Sequence, residues 1–385
     1  MDIASLHKSF NEKFGKGSIP DVYFAPGRVN LIGEHTDYNG GYVLPCALSF
    51  GTYLLIRKNA DNVFRLASLN FDNQEEIVTD GFHKLPDNNW VNYPLGIIDQ
   101  LKNKGLKTSG MDFLFAGSIP PGAGLSSSAS IELVTAFAIN DQMDFKLELK
   151  DLILIGLYCE HEFIGVQCGI MDQFAVAMGK ANMALFLNCR NLVHEHVPVN
   201  TGAYSLVIVN SNKPRGLAES RYNERVKECS MALEDIRKSL DIEYLGQLSL
   251  EDFRKVEHLI RSPLIKKRAA HIVAENYRVL ESVKALKNGQ VDTLGKLMRA
   301  SHISLRDNYE VTGPELDTLA ETAWELDYVA GARMTGAGFG GCTVNLVHRD
   351  ASTDFEKVIR EEYLQATGLE ADLYFPIIGD GVKRL

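Results

Sequence analysis

The chain has no lysine- and arginine-rich run, no C-x-x-C pair and no apolar stretch near the roughly 18 residues that a membrane helix needs. The first absence, with a formal charge of -10 at pH 7, argues against a basic surface, so neither nucleic acid nor anionic membrane is expected as a partner. The second leaves Cys46, Cys159, Cys168, Cys189, Cys229 and Cys342 scattered. That is the usage of a reduced compartment, not of a disulfide or zinc framework. Residues 1–14 mix apolar and charged side chains as an amphipathic helix does, unlike a secretory leader. A cytoplasmic location is therefore expected. Internal repeats, low-complexity tracts and an obvious linker are also missing.

What is present is an ordinary globular composition, 45% hydrophobic and 23% charged over 385 residues, enough for about two domains. A boundary near residue 200 divides them into 1–200 and 201–385. Short apolar runs predict strands at Val22–Ala25, Arg28–Ile32, Val43–Leu48, Tyr53–Ile56, Val63–Leu69, Glu76–Val78 and Met111–Ile119. Helices are predicted at Tyr93–Lys102, where Leu95, Ile98 and Leu101 share a side, from Ala129 onwards, and at Leu149–Gly165. Further strands follow at Met183–Leu187, Leu206–Val209, Cys342–Val347 and Leu373–Phe375. Leu217–Leu240 reads as a charged helix with a solvated outer face, and Ser249–Tyr328 as mostly helical. The fold class is mixed α/β.

The densest chemistry lies in Ala25–Gly41, which packs Arg28, Glu34, His35 and Asp37 among turn-forming glycines. Pro26-Gly27 ends one apolar run and Asn39-Gly40-Gly41 signals a second turn. Between them Val29 and Leu31 alternate with Arg28 and Asn30, as on a short strand. A surface hairpin with solvated charges would look the same, so both readings stay open.

A second signal is strand, then Gly122-Ala123-Gly124-Leu125-Ser126-Ser127-Ser128, then an apolar helix. Such a loop aims backbone N–H groups and a helix dipole at an anion. One serine would suffice as an N-cap; three behind two glycines favour phosphate. No Walker A pattern occurs, so a bound triphosphate would need a metal and cations from elsewhere. Gly336–Gly341 matches G-x-G-x-x-G, but a helix-like segment (Ala320–Val329) precedes it and a strand follows, the reverse of a dinucleotide site. It is either a tight loop or a loop pressed on a ligand. Asp172 stands among apolar residues and needs a partner or a job, with Arg28 the natural partner and an N-cap role the alternative. His194 and His196 fall on one strand face and read as surface.

Together, the three glycine clusters in this order resemble the GHMP small-molecule kinases. Pro26–Tyr38 is similar to the signature of the galactokinase branch, and the likeness continues through Gly122–Ser130, Glu160-His161, Cys168–Gln173, Ser220–Asn223 and Arg333–Cys342. The resemblance implies two α/β lobes with the active site between them, and ATP- and Mg²⁺-dependent phosphorylation of galactose at its C1 hydroxyl; a monomer is expected. It assigns Glu34, His35, Thr36, Asp37 and Tyr222 to the sugar, and Gly122, Ala123, Gly124, Leu125, Ser126, Ser127 and Ser128 to the ATP phosphates. Ser128 and Glu160 would bind Mg²⁺, and Asp172 and Arg28 would be catalytic. A sugar 1-kinase for N-acetylgalactosamine or arabinose, or a sensor that binds sugar and ATP without turnover, would share most of these features.

Overall fold

A computed structural model describes all residues except 87–88, 121 and 215–217, with 218–219 described in backbone only. Thirteen strands are present among the described residues: β1 Asp21–Asn30, β2 Tyr42–Val43, β3 Pro45–Lys58, β4 Val63–Ser68, β5 Glu75–Val78, β6 Met111–Gly117, β7 Met183–Asn188, β8 His194–Pro198, β9 Tyr204–Asn210, β10 Val329–Thr335, β11 Cys342–His348, β12 Asp372–Tyr374 and β13 Lys383–Arg384. The helices are α1 Ile3–Phe14, α2 Asn92–Asn103, α3 Ser127–Met143, α4 Leu149–Tyr158, α5 Met171–Met178, α6 Ala218–Arg237, α7 Leu250–Val256, α8 Pro263–Lys287, α9 Val291–Ser304, α10 Pro314–Trp324 and α11 Ser352–Thr367.

The first sheet runs β13-β1-β3-β6-β4-β5, antiparallel except for the β4–β6 pair. Alternation along its strands sends side chains to opposite faces. Val22, Leu55 and Leu114 meet Leu6 and Phe10 of α1, while Tyr23, Leu54 and Ile56 share a core with Leu133, Val134 and Ala138 of α3. The second sheet is β10-β11-β9-β12. Its Val207, Val209 and Ala332 pack on Leu319, Phe355 and Ile359 of α10 and α11. On its opposite face Ile208, Val344 and Leu346 join Val279 and Val283 of α8, Met298 of α9, Val29 of β1 and Leu31 just beyond it. One apolar cluster thus bridges both halves of the chain, and the last residues return to the first sheet through β13. A third sheet, β2-β7-β8, completes the layers.

Several expectations change here. Pro26-Gly27 does not break a strand; it sits at a bulge inside β1, where the register with β3 shifts between Pro26 and Arg28, a place that tolerates proline. Val43–Leu48 and Tyr53–Ile56 are not two strands of their own: the run from Pro45 to Lys58 is one strand. The helix predicted over Leu149–Gly165 ends its α-helical part at Tyr158 and continues as a π-helical turn, Cys159–Ile164. The helix-like segment before the third glycine cluster stops at Trp324, so the glycines form a β10–β11 hairpin. Leu217 lies outside the described residues, and the charged helix beginning beside it is not merely a solvated face. Its Arg225, Cys229, Ala232 and Ile236 are buried. His194 and His196 are half-buried, the first ring against Phe174 and the second bonded to the Met178 carbonyl at 2.7 Å.

Candidate active site

β1 carries the first of the chemistry inward. Arg28 and Asn30, on the face opposite Val29, are also buried: Arg28 against Asp172 and the glycine–serine loop, Asn30 against Glu34 and Thr335. Arg28 donates to Asp172 through Nε and Nη2, both at 2.7 Å, and through Nη1 to the Gly124 carbonyl at 2.8 Å. This is the planar fork that makes arginine a rigid partner for a carboxylate. Gly27 lets β1 approach the loop, since a Cβ there would fall 2.9 Å from the Leu125 carbonyl oxygen.

Past β1 the chain turns through Gly33 to Glu34. The Glu34 carboxylate accepts from Asn30 Nδ2 at 2.8 Å, Arg333 Nη2 at 2.6 Å, Thr335 Oγ1 at 3.2 Å and the Gly336 N–H at 2.8 Å. Burial raises its pKa and the Arg333 guanidinium opposes that rise. The loop is clamped from α8. Glu275 accepts from the Gly33 N–H at 3.0 Å, His271 bonds the Glu34 carbonyl at 3.2 Å, and Asn276 accepts from the Tyr42 N–H at 2.7 Å. Burial alone would raise the Glu275 pKa, but Arg278, His271 and Arg333 bring it down to about 2.

The glycine–serine loop arrives with positive φ at Gly122, Gly124 and Ser126, which glycine adopts at little cost. Ser126 occupies the N-cap position of α3 yet makes no capping hydrogen bond; its hydroxyl donates to Asp172 instead. The N-cap role considered from sequence is therefore not what these serines do, and the free N–H groups of α3 remain available to an anion. Asp172 lies in the first turn of α5 and caps nothing.

These parts meet around one cavity of about 330 Å³, lined among others by Arg28, Glu34, His35, Asp37, Gly122, Gly124, Ser126, Ser127, Ser128, Glu160, Asp172 and Tyr222. Gly336 and Ala337 reach it too, so the third glycine cluster is both a hairpin turn and a wall of the site. Three residues assigned to ligands turn their side chains away from it. Thr36 turns its hydroxyl to the Gly33 and Tyr42 carbonyls, at 2.8 and 2.7 Å, and so holds the loop's own turn. Ala123 and Leu125 bury their side chains in the shared apolar core, leaving only their backbone for a phosphate.

Asp37 shows the strain of the arrangement. Burial first, and then the charge of Asp172, push its pKa up to about 7. Only glycine fits beside it, because a Cβ on Gly169 would lie 2.0 Å from an Asp37 carboxylate oxygen. With a folded pKa above the unfolded value, the native state holds its proton longer, so this group's contribution to stability is lost as pH rises from about 4 through 7. Asp37→Asn is expected to be more stable than the parent above pH 7, by about 2 kcal/mol. The gap should close below pH 4 in urea unfolding series, while affinity for the substrate falls.

Sequence reasoning missed Arg333 and Glu275 as organisers of the site, and Glu132. The last is fully buried, hydrogen-bonded by Gln173 at 3.3 Å, with its pKa raised well above normal by burial and then by the charge of Glu160. A charged residue inside an apolar helix or strand was the available signal.

Comparison with known proteins matches residues 8–58 to the galactokinase galactose-binding signature, 92–180 to the GHMP kinases N terminal domain and 282–364 to the GHMP kinases C terminal model. A galactokinase of Clostridium beijerinckii is 46% identical over 387 residues, covering 100% of this chain and 99% of its own. The crystal structure of Lactococcus lactis galactokinase complexed with galactose superposes with a TM-score of 0.97 at 44% identity, covering 100% of both chains. Methanococcus jannaschii mevalonate kinase, at 17% identity and a TM-score of 0.65 over 95% of this chain and 100% of its own, shares the fold.

Proposed function

The chain belongs to the galactokinase branch of the GHMP kinases, and from that membership we propose that it transfers the γ-phosphoryl group of ATP to the C1 hydroxyl of D-galactose. The observation that carries the reading is that Asp172 stands in one cavity with the acids of the first signature and the open N-terminus of α3. Glu34, His35, Asp37 and Tyr222 hold the sugar. Buried groups built to bond hydroxyls reject sugars that leave them unpaired. The backbone of Gly122–Ser128 cradles the phosphates.

Asp172, fixed in place by Arg28 and Ser126, orients the C1 hydroxyl and accepts its proton late. A loose phosphoryl-transfer transition state asks mainly for positioning and charge stabilisation, and Arg28 supplies charge between the acceptor and the loop. Ser128 and Glu160 both line the cavity, and no group of three or more metal-binding side chains occurs among the described residues. Such a sparse set of oxygen donors suits Mg²⁺, which takes few protein ligands beside substrate phosphates and water. When bound, Mg²⁺ would neutralise charge on the phosphates.

All six cysteines are free, the usage of a reduced compartment, which supports a cytoplasmic location; no helix of the described residues is long and apolar enough to cross a membrane. The test is an ADP-release assay over galactose, N-acetylgalactosamine, arabinose and glucose, with the phosphorylated position read by NMR. Galactose 1-phosphate is the expected product. Binding of sugar and ATP without turnover would select the sensor reading, and preference for another sugar would select a different 1-kinase.

A further inference from the structure

His35 stands at the end of a hydrogen-bonded chain that no ligand role requires. Its Nδ1 is 2.9 Å from the Tyr38 hydroxyl, that hydroxyl is 2.8 Å from the Tyr309 hydroxyl, and Tyr309 is 3.1 Å from Cys229 Sγ. Tyr309 and Cys229 are buried, and the His35 side chain is only 4% exposed. Nε2 of the same ring is itself buried and makes no well-formed hydrogen bond, though the Ala337 backbone lies close enough to act on the ring, and His35 lines the cavity. The backbone at His35 is held at φ 64°, a left-handed conformation that costs a non-glycine residue and persists only where surroundings impose it. The far end of the chain comes from α6, where Cys229 lies two turns beyond Tyr222, itself on the cavity wall.

We infer that Tyr38 is a specificity-positioning residue: by donating to Nδ1 it fixes His35 as the Nε2–H tautomer, so that the cavity presents a hydrogen-bond donor to one sugar oxygen. Each hydroxyl or thiol has one proton to donate, so when every one of those protons is used within the chain all three bonds run in one direction. Run toward His35, they end on an imidazole nitrogen, a strong acceptor; run the other way, they end on sulfur, a weak one. The first direction is the more favourable. The ring is neutral, as either tautomer requires. Burial, followed by the charges of His271 and Arg225, holds its pKa down at about 3.

The surroundings show why a donor is wanted. Glu34 already accepts from Asn30, Arg333 and the Gly336 N–H, and Asp37, when ionised, only accepts. A hydroxyl that gives its proton to Asp37, or a neighbour of it, therefore has an oxygen left to fill. A fixed Nε2–H fills it, whereas the other tautomer would place acceptor against acceptor. A sugar lacking that oxygen would leave a buried N–H unpaired, the situation in which hydrogen-bonding sites discriminate most strongly.

The inference rests on the sugar-kinase reading for its purpose, but the tautomer itself is measured on the free protein. Two-bond ¹H–¹⁵N correlation spectra of ¹⁵N-histidine-labelled protein, with the His35 signals assigned by their loss in His35→Asn, are expected to show a pyrrole-type Nε2 and a pyridine-type Nδ1. A pyrrole-type Nδ1 in the parent would overturn the inference without any variant. In Tyr38→Phe the pattern should become mixed, with KM for galactose raised about tenfold and KM for ATP within twofold of the parent. Tyr309→Phe separates the two directions. If Tyr38 donates to His35, its loss leaves that bond intact and the Nε2–H tautomer persists. If His35 donates to Tyr38, the variant strands the Tyr38 proton and the ring signals change. An unaltered spectrum and unaltered sugar KM in Tyr38→Phe would also refute the role. Absence of sugar phosphorylation in the parent would instead refute the sugar-kinase reading, leaving the tautomer result standing.

Discussion

Asp172→Asn is expected to reduce kcat about 10³-fold, within the range that loss of a positioned proton acceptor produces, while leaving the fold in place. The carboxylate accepts two hydrogen bonds from the Arg28 fork and one from Ser126. Asparagine preserves the shape but must turn an NH₂ toward one of these donors, so the anchor is weakened as well as the base. Two effects are thus combined in one substitution. Ser126→Ala separates them, because it removes one donor and leaves both the charge and the Arg28 fork; a loss nearer tenfold is expected there. Calorimetric binding of galactose should survive in both variants, since Glu34, His35 and Asp37 are untouched. Undiminished turnover in Asp172→Asn would remove the residue from the chemistry altogether. The proposed order of events has its own check. A solvent-isotope study showing complete proton loss before phosphoryl transfer would contradict a late proton transfer, and would make Asp172 a true general base.

Much of this site was legible because its signals were local. Glycines before a run of serines and an apolar helix can be read within a dozen residues, and α2 was traced from Leu95, Ile98 and Leu101 on one side. The pairing of Asp172 with Arg28 followed from the need of an acid among apolar neighbours for a cation. What stayed hidden was non-local. The bonds of Arg333 to Glu34 join positions 299 residues apart, and nothing near Arg333 in the chain points to its partner. Pro26-Gly27 gives the same local signal whether it ends a strand or occupies a bulge; the ladder to β3 decides. The burial of α6 was legible and was overlooked. Arg225, Cys229, Ala232 and Ile236 recur at intervals of four, three and four along a charged helix, the stripe of a half-buried one. Thr36 shows the converse limit. A motif groups residues by adjacency, but a turn sends neighbouring side chains in different directions, and its hydroxyl serves the loop while those of Glu34 and Asp37 serve the cavity.

The second large effect is expected at Arg333, which contacts neither the phosphate loop nor Asp172. Its guanidinium reaches Glu34, Ser301 Oγ at 3.2 Å and the carbonyls of Asn30 and Leu31, both at 3.2 Å, and its side chain is 0% exposed. Arg333→Met should lower stability by about 4 kcal/mol, the usual cost of leaving one member of a buried ion pair without its counter-charge. It should also raise KM for galactose sharply, because Glu34 would lose the guanidinium that holds it in place. Arg333→Lys is not expected to rescue either property. An ammonium on a flexible stem can reach one acceptor well, but not a carboxylate, a hydroxyl and two carbonyls in the plane of a fork. Pairing Arg333→Met with Glu34→Leu separates structure from function, since replacing both ions by apolar groups often restores what breaking the pair removes. The double variant should recover much of the urea midpoint lost by Arg333→Met and still fail to phosphorylate sugar. If Arg333→Met alone unfolds within about 1 kcal/mol of the parent and keeps its sugar KM, the buried pair is not what holds the signature loop against the C-terminal half.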